Sequence, residues 1–384
     1  MKTQTLQNIH TLFNQSKIPN INPEFFHHLA MTTSKYAEKS QYIIDSIKET
    51  TYLEWEEKLK VNMWDLELKN PIGLAAGFVK EPTGLQFWEA FWFGYMTIGW
   101  ITKHPQKWNK KTRIYRFPDW VINGMWLPSI WIEDIVKRLS IRVRKNMMPE
   151  VPLFANLCNN LITPVNEKTN ELKYLMEKLF PFVQAFEINI SCPNQKWVCS
   201  ISTQLENLLK DLKSYNETLA VKNNTSPRKL LLKISPLSTN ELSGTCDIQD
   251  GIQEKLELIA QICNTHKIDW IIATNTQKEH TRDIKIITAS WETIRWWASW
   301  KMIQEISLKT VEELRKILDK KIPIIWVWGV GFDKKWEEWQ SAINMLNAWA
   351  QSLQIYSSFV FNVMTPYNIK KRILEKSPFP SYEG

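Results

Sequence analysis

Glu187-Ile188-Asn189-Ile190-Ser191-Cys192-Pro193-Asn194 is a short apolar strand that ends in two amides, a hydroxyl and a thiol. Such a strand brings polar groups to its carboxyl end, the face on which a parallel barrel keeps its chemistry, and the proline stops it there. Outward from this stretch, eight apolar runs of strand length recur, at 72–76, 95–101, 152–157, 184–190, 230–234, 268–273, 322–328 and 353–357. Between them, Ser202 to Ala220, Ile252 to His266 and Leu308 to Lys320 carry apolar residues at helical spacing. Eight βα units predict an α/β fold of the closed (β/α)8 type, a TIM barrel, over residues 61–384. Longer connections at 102–131 and 275–305 fall on its catalytic face. Residues 1–60 read as an N-terminal helical extension, with Asn22-Pro23-Glu24 as a helix start and Phe25, Phe26, Leu29, Ile43, Ile44 and Ile47 giving it an amphipathic character.

A barrel of this size fits 384 residues at 44% apolar content. The 48 basic and 40 acidic residues leave +8, which suits an anionic ligand or an acidic surface. The basic residues are scattered through helical stretches, so nucleic acid is not an expected partner. Cysteines 158, 192, 199, 246 and 263 form no Cys-x-x-Cys pair, and no metal is expected. The start, Met1-Lys2-Thr3-Gln4-Thr5, lacks the apolar run of a signal peptide, and nowhere do 18 apolar residues run together, so a cytoplasmic location is expected.

Tryptophan is the anomaly, with 20 against only 11 glycines. Many tryptophans stand where chain geometry asks for glycine: Trp92 before Phe93-Gly94, Trp126 after Met125, Trp296 and Trp297 with Trp300, and Trp326 and Trp328 before Gly329. Glycine serves such places because it accepts positive φ and lets backbone amides approach a phosphate. The pattern predicts that most or all of these tryptophans are glycines misread, as when UGA is translated with the wrong meaning. Restoring them would bring glycine to an ordinary share of about 7% or slightly more. The alternative is a tryptophan-rich variant whose indoles fill a core.

Four segments accompany the opening stretch: Asn70-Pro71-Ile72-Gly73-Leu74-Ala75-Ala76-Gly77-Phe78, Ile122-Asn123-Gly124-Met125, Leu232-Lys233-Ile234-Ser235-Pro236 and Ala273-Thr274-Asn275-Thr276. In this order and spacing the chain resembles the dihydroorotate dehydrogenase family of FMN enzymes in pyrimidine synthesis, over roughly residues 60 to 375. The resemblance implies oxidation of (S)-dihydroorotate to orotate, with hydride passing to FMN N5, because no side chain accepts hydride. It makes Cys192 the base for the C5 proton and Lys233 the cation at the flavin N1/O2 edge. It assigns flavin contacts to Ala75, Ala76, Gly77, Asn156, Asn189, Thr274 and Trp297, and the phosphate to Trp328, Gly329, Tyr356 and Ser357. It assigns the substrate to Asn123, Met125, Asn194, Asn275 and Thr276, with Lys80 or Lys103 as the carboxylate's cation.

The acceptor stays open on this reading. A cysteine at 192 marks the soluble class, linked to fumarate or NAD. The N-terminal extension and the segments Lys103-His104-Pro105-Gln106 and Arg113-Ile114-Tyr115-Arg116 resemble the quinone-linked class, which is slightly preferred and brings peripheral contact with the inner face of the cell membrane. Val79 stands where an aspartate is common, and Asn156-Leu157-Cys158-Asn159 is a loose match to the family's Asn-Ile-Gly-Lys. Assembly into a homo-oligomer is open. Rival readings are a dihydrouridine synthase, which would add a basic RNA-binding domain after the barrel, and a non-enzymatic barrel that serves as a scaffold.

Overall fold

Eight parallel strands close on themselves in the computed structural model. It describes residues 23–63, 65–106, 114–116, 120–123, 129–190, 201–236, 252–276, 286–287, 293–294, 297–327, 329–330, 340–348 and 350–376. The strands are β1 (Ile72–Val79), β2 (Tyr95–Ile101), β3 (Leu153–Leu157), β4 (Ala185–Asn189), β5 (Lys229–Ile234), β6 (Trp270–Ala273), β7 (Ile324–Val327) and β8 (Ser352–Ile355). Each pairs with the next, and β8 returns to β1 with Leu353 opposite Ile72. All eight fall on the apolar runs read from the sequence. They are buried on both faces, which is why they read as continuous Ile, Leu, Val and Ala rather than as alternation.

Among the described residues two α-helices precede the barrel, α1 (Pro23–Ala37) and α2 (Gln41–Thr51). The helices that follow the strands are α3 (Leu85–Glu89), α4 (Ile132–Arg144), α5 (Lys168–Leu179), α6 (Ile201–Lys222), α7 (Ile252–His266), α8 (Lys301–Ile317), α9 (Gln340–Ala348) and α10 (Ser357–Phe361), with α11 (Thr365–Lys376) last. In α5, Leu172, Leu175, Met176 and Leu179 make one buried stripe at spacings of three and four, so it lies flat on the barrel.

The interior has two halves. Toward the amino ends of the strands it is apolar: Tyr95 stacks on Phe154 at 4.8 Å between ring centres, and Trp270 closes on Phe154 at 5.5 Å. The antiparallel hairpin of Val61–Met63 and Leu66–Leu68 plugs this end with Met63 and Leu68. Each such fully buried side chain contributes about 1.5–3 kcal/mol. Toward the carboxyl ends the same parity of residues carries Asn156, Glu187, Asn189 and Lys233.

The N-terminal helices are tied to the barrel. Ile44, Ile47 and Thr51 of α2 are buried, and the Thr51 hydroxyl donates to the Ala90 carbonyl at 3.2 Å. Arg142 of α4 forms a buried ion pair with Glu38, just past α1. Lys370 of α11 donates to Glu56 Oε1 at 2.8 Å.

The two long connections meet. Trp297–Trp300 pairs antiparallel with Trp120–Asn123, which pairs with Ile114–Arg116, a three-stranded sheet absent from the sequence reading. Its strands come from the two insertions, so only tertiary pairing defines it.

Tryptophan fits poorly at several places. Trp55 and Trp92 have φ of 72° and 64°, the left-handed region; among the described residues the other side chains there are Asn146, Asn224 and Lys267. A bulky residue at such φ is an outlier. Trp88 and Trp270 bury indole N–H groups that have no hydrogen-bond partner among the described residues, each a cost of about 1–3 kcal/mol.

Candidate active site

The polar end of the barrel is built around one carboxylate. β4 and β5 run side by side with Glu187 two residues before Asn189 on the same face, and Asn189 lies opposite Lys233 in the register. Lys233 Nζ donates to Glu187 Oε1 at 2.8 Å, and neither side chain is more than 1% exposed. Asn156 of β3 donates its Nδ2 to the same oxygen at 2.6 Å. A buried ammonium is costly unless paired, so the carboxylate explains why a lysine can stand inside the barrel.

From Asn156 the contacts lengthen. Asn189 Nδ2 reaches Asn156 Oδ1 at 3.4 Å, and Asn275 Nδ2 reaches Asn189 Oδ1 at 3.5 Å. The Cys158 thiol donates to Asn156 Oδ1 at 3.5 Å. Asn156, Asn189 and Asn275 thus gather three amide edges in one place, an arrangement that matches a planar heterocycle offering both donors and acceptors. Glu187 Oε2 is buried and has no hydrogen-bond partner among the described residues.

Several sequence-predicted residues therefore converge: Asn156, Asn189, Lys233 and Asn275. Ala75 and Ala76 are buried in β1, and Gly77 follows them at φ 92°. The Trp100 ring packs against Gly77, 3.1 Å from where a β-carbon would stand, so a larger residue there would have to push the indole aside. Gly329, at φ 84° after β7, would press a β-carbon to 3.0 Å from Gln304 Cα. Ser357 is buried at the start of α10, and Tyr356 lies edge-on to Phe78 at 5.7 Å. Residues 123 and 297 are brought together by direct register pairing.

Others point elsewhere. Thr274 Oγ1 donates to Ser307 Oγ of α8 at 3.0 Å, behind the strand rather than toward Asn189. The Thr276 amide is held by Asn275 Oδ1 at 2.9 Å. Lys103 lies over the Tyr174 ring of α5 at 5.2 Å, away from the amide cluster. Lys80 lies by α1, where burial and then the charge of Lys80 lower His27 to about 3. Cys192, Asn194, Met125 and Trp328 lie outside the described residues. Of the described thiols, Cys263 is buried and pushed up to about 12 by that burial, so it is a poor base.

The sequence reading placed no role on Glu187, although it opens the deciding stretch. The signal was present: an acidic residue inside a strand buried on both faces needs a cation, and Lys233 is the one on the neighbouring strand.

A sequence model of the family described as "Dihydroorotate dehydrogenase" matches residues 58–376. A protein named "Dihydroorotate dehydrogenase (quinone)" from Chloroflexus aurantiacus is 27% identical over 327 residues, 84% of each chain. Another of that name from Aliivibrio salmonicida is 29% identical over 307 residues, 78% of this chain and 82% of its own. Among solved structures, the ligand-free DHODH from Eimeria tenella superposes with a TM-score of 0.73 at 22% identity, covering 93% of this chain and 96% of that one. The same organism's DHODH in complex with ferulenol gives 0.71 at 21% identity, covering 92% and 90%. These two establish the fold.

Proposed function

The chain belongs to the dihydroorotate dehydrogenase family, and from that premise we propose that it oxidises (S)-dihydroorotate with FMN as resident cofactor, Cys192 as base and a quinone as electron acceptor. Dihydroorotate oxidation in pyrimidine biosynthesis is its activity; cofactor, base and acceptor are the added reading. The observation that carries it is the buried Lys233–Glu187–Asn156 cluster at the carboxyl ends of β3, β4 and β5.

The donor set fits a flavin. Lys233 is a fixed cation, Asn156, Asn189 and Asn275 offer amide edges, and Gly77 and Gly329 hold the backbone at positive φ, which glycine accepts. The Trp100 indole stands on the Gly77 shelf; glycine at 100 would open it. When bound, FMN supplies the hydride acceptor that no side chain provides. Lys233 holds positive charge against the ring edge, and Cys192, in the segment after β4, takes the C5 proton as general base. Asn123, Asn194, Asn275 and Thr276 orient the pyrimidine, with Lys80 or Lys103 as the cation for its carboxylate.

For the acceptor, the N-terminal segment carries most of the large exposed apolar side chains among the described residues: Phe25, Leu29, Tyr36, Tyr42, Ile43, Tyr52 and Trp55. Apolar surface gathered on one small element suits a lipid surface or a lipophilic quinone. Among the described residues no helix is long and apolar enough to cross a membrane. From the exposed apolar surface of the N-terminal segment we infer a cytoplasmic enzyme, peripheral on the inner face of the membrane.

The test is turnover of dihydroorotate with a short-chain quinone, fumarate and NAD side by side, on protein whose flavin is measured by absorbance. Fastest turnover with quinone is expected. Faster turnover with fumarate or NAD would assign the soluble class, and protein that neither carries nor takes up FMN would sink the reading.

A further inference from the structure

We propose that Glu187 is a positioning residue that fixes Lys233 and Asn156 beneath the flavin and holds down the flavin's reduction potential. The inference rests on the flavin reading above and deepens it.

Glu187 Oε1 accepts from Lys233 Nζ at 2.8 Å and from Asn156 Nδ2 at 2.6 Å. One oxygen thus holds a cation and an amide from the two strands that flank β4. Its carboxylate is fully buried, so its charge is poorly screened. The oxidised ring system of a flavin is neutral, whereas the reduced ring carries negative charge at the edge that Lys233 would face. A cation alone there would favour reduction strongly. The Glu187 carboxylate, one hydrogen bond behind that cation, offsets part of its field and repels the charge that reduction adds. The pair can thereby keep Lys233 aimed at the ring without making reduced FMN too stable to pass its electrons on.

The opposing signs make the experiment specific. In Glu187→Gln the amide oxygen still accepts from Lys233 and Asn156, but the charge is gone. Apoprotein of this variant should bind oxidised FMN within about threefold of wild type, by quenching of flavin fluorescence. The ratio of reduced-FMN to oxidised-FMN affinity, read from the midpoint potential against a reference dye, should rise at least tenfold. Lys233→Met should lower that ratio at least tenfold. If Glu187→Gln fails to fold, the isosteric neutral pair Lys233→Met with Glu187→Gln is compared with Lys233→Met alone, and the second change should still raise the ratio.

A ratio unchanged or lowered by removing the Glu187 charge, in either background, overturns the inference. That outcome differs from failure of the flavin reading, in which wild-type protein itself would bind no FMN.

Discussion

Two lysines in this molecule are buried against a glutamate at the same 2.8 Å, and they serve different ends. Lys233 and Glu187 sit at the mouth of the barrel, linked to asparagines whose own bonds are long, next to a carboxylate oxygen without a partner among the described residues. Lys370 and Glu56 sit on the seam where the N-terminal segment meets α11, with the Thr51 carbonyl 3.5 Å from Lys370 Nζ and the Trp92 ring centre at 4.9 Å. Glu56 also accepts from the Leu53 amide at 2.8 Å. The seam pair is enclosed by groups already committed to one another; the mouth pair keeps one buried carboxylate oxygen, Glu187 Oε2, without a partner among the described residues. Burial and pairing alone do not mark a functional charge; a buried polar atom beside it left without a partner points to one.

The comparison breaks most visibly through rate. Cys192→Ala should slow reduction of bound flavin by dihydroorotate by about 10²–10⁴-fold, the usual loss with a general base, while FMN content and melting temperature hold. Lys233→Ala should lower both flavin affinity and reduction rate. Stopped-flow absorbance measures each variant, and a Cys192→Ala protein that reduces its flavin at the wild-type rate would remove the base assignment.

At the seam the effect should be on stability. Glu56→Ala leaves Lys370 buried with no counter-charge, and breaking one side of a buried pair costs about 3–5 kcal/mol. Denaturant unfolding should show that loss, with dihydroorotate-driven flavin reduction unchanged in the folded protein. Slowed reduction without lost stability would reverse the roles given to the two pairs.

Smaller still is a pH effect. Burial lowers Lys370 to about 8, against the opposing pull of Glu56. Its folded value thus lies below its unfolded one, near 10.5, so between about 8 and about 10.5 the unfolded chain binds more protons and stability rises with pH. The melting temperature should gain a rising component across that window, and Lys370→Met should lack it. A wild-type profile without that component would contradict the burial argument.

Much of this was legible in the residues. Every barrel strand follows from an apolar run, because strands buried on both faces tolerate little else. Asn156, Asn189, Lys233 and Asn275 could be read as one site because strand ends of a barrel converge. Thr274 and Lys103 could not be placed that way: which side of a strand end a hydroxyl takes, and whether a lysine finds an aromatic ring first, depend on Ser307 and Tyr174, distant in sequence. The sheet joining residues 114–123 to 297–300 was hidden for the same reason.

The smallest prediction concerns Trp55, close beside the seam pair. Its φ of 72° places it in the left-handed region, and the residue is 62% exposed. Lys58 Nζ lies 4.8 Å from the ring centre, an exposed contact worth about 0.5–1 kcal/mol. Replacing Trp55 by Ala or by Gly removes that contact equally, so the two variants differ only in the β-carbon. At an ordinary position Ala is the more stabilising, because glycine frees the unfolded chain. At a left-handed position the β-carbon costs about 1–2 kcal/mol, which outweighs that advantage. Trp55→Gly should therefore unfold at higher denaturant than Trp55→Ala, by about 1 kcal/mol. If alanine is the more stable, the backbone at 55 does not call for glycine. The companion measurement is peptide mass spectrometry of protein from its native host across residues 55, 92 and 328. Glycine mass there is the expected result, and tryptophan mass would leave the strained indoles as genuine features of this chain.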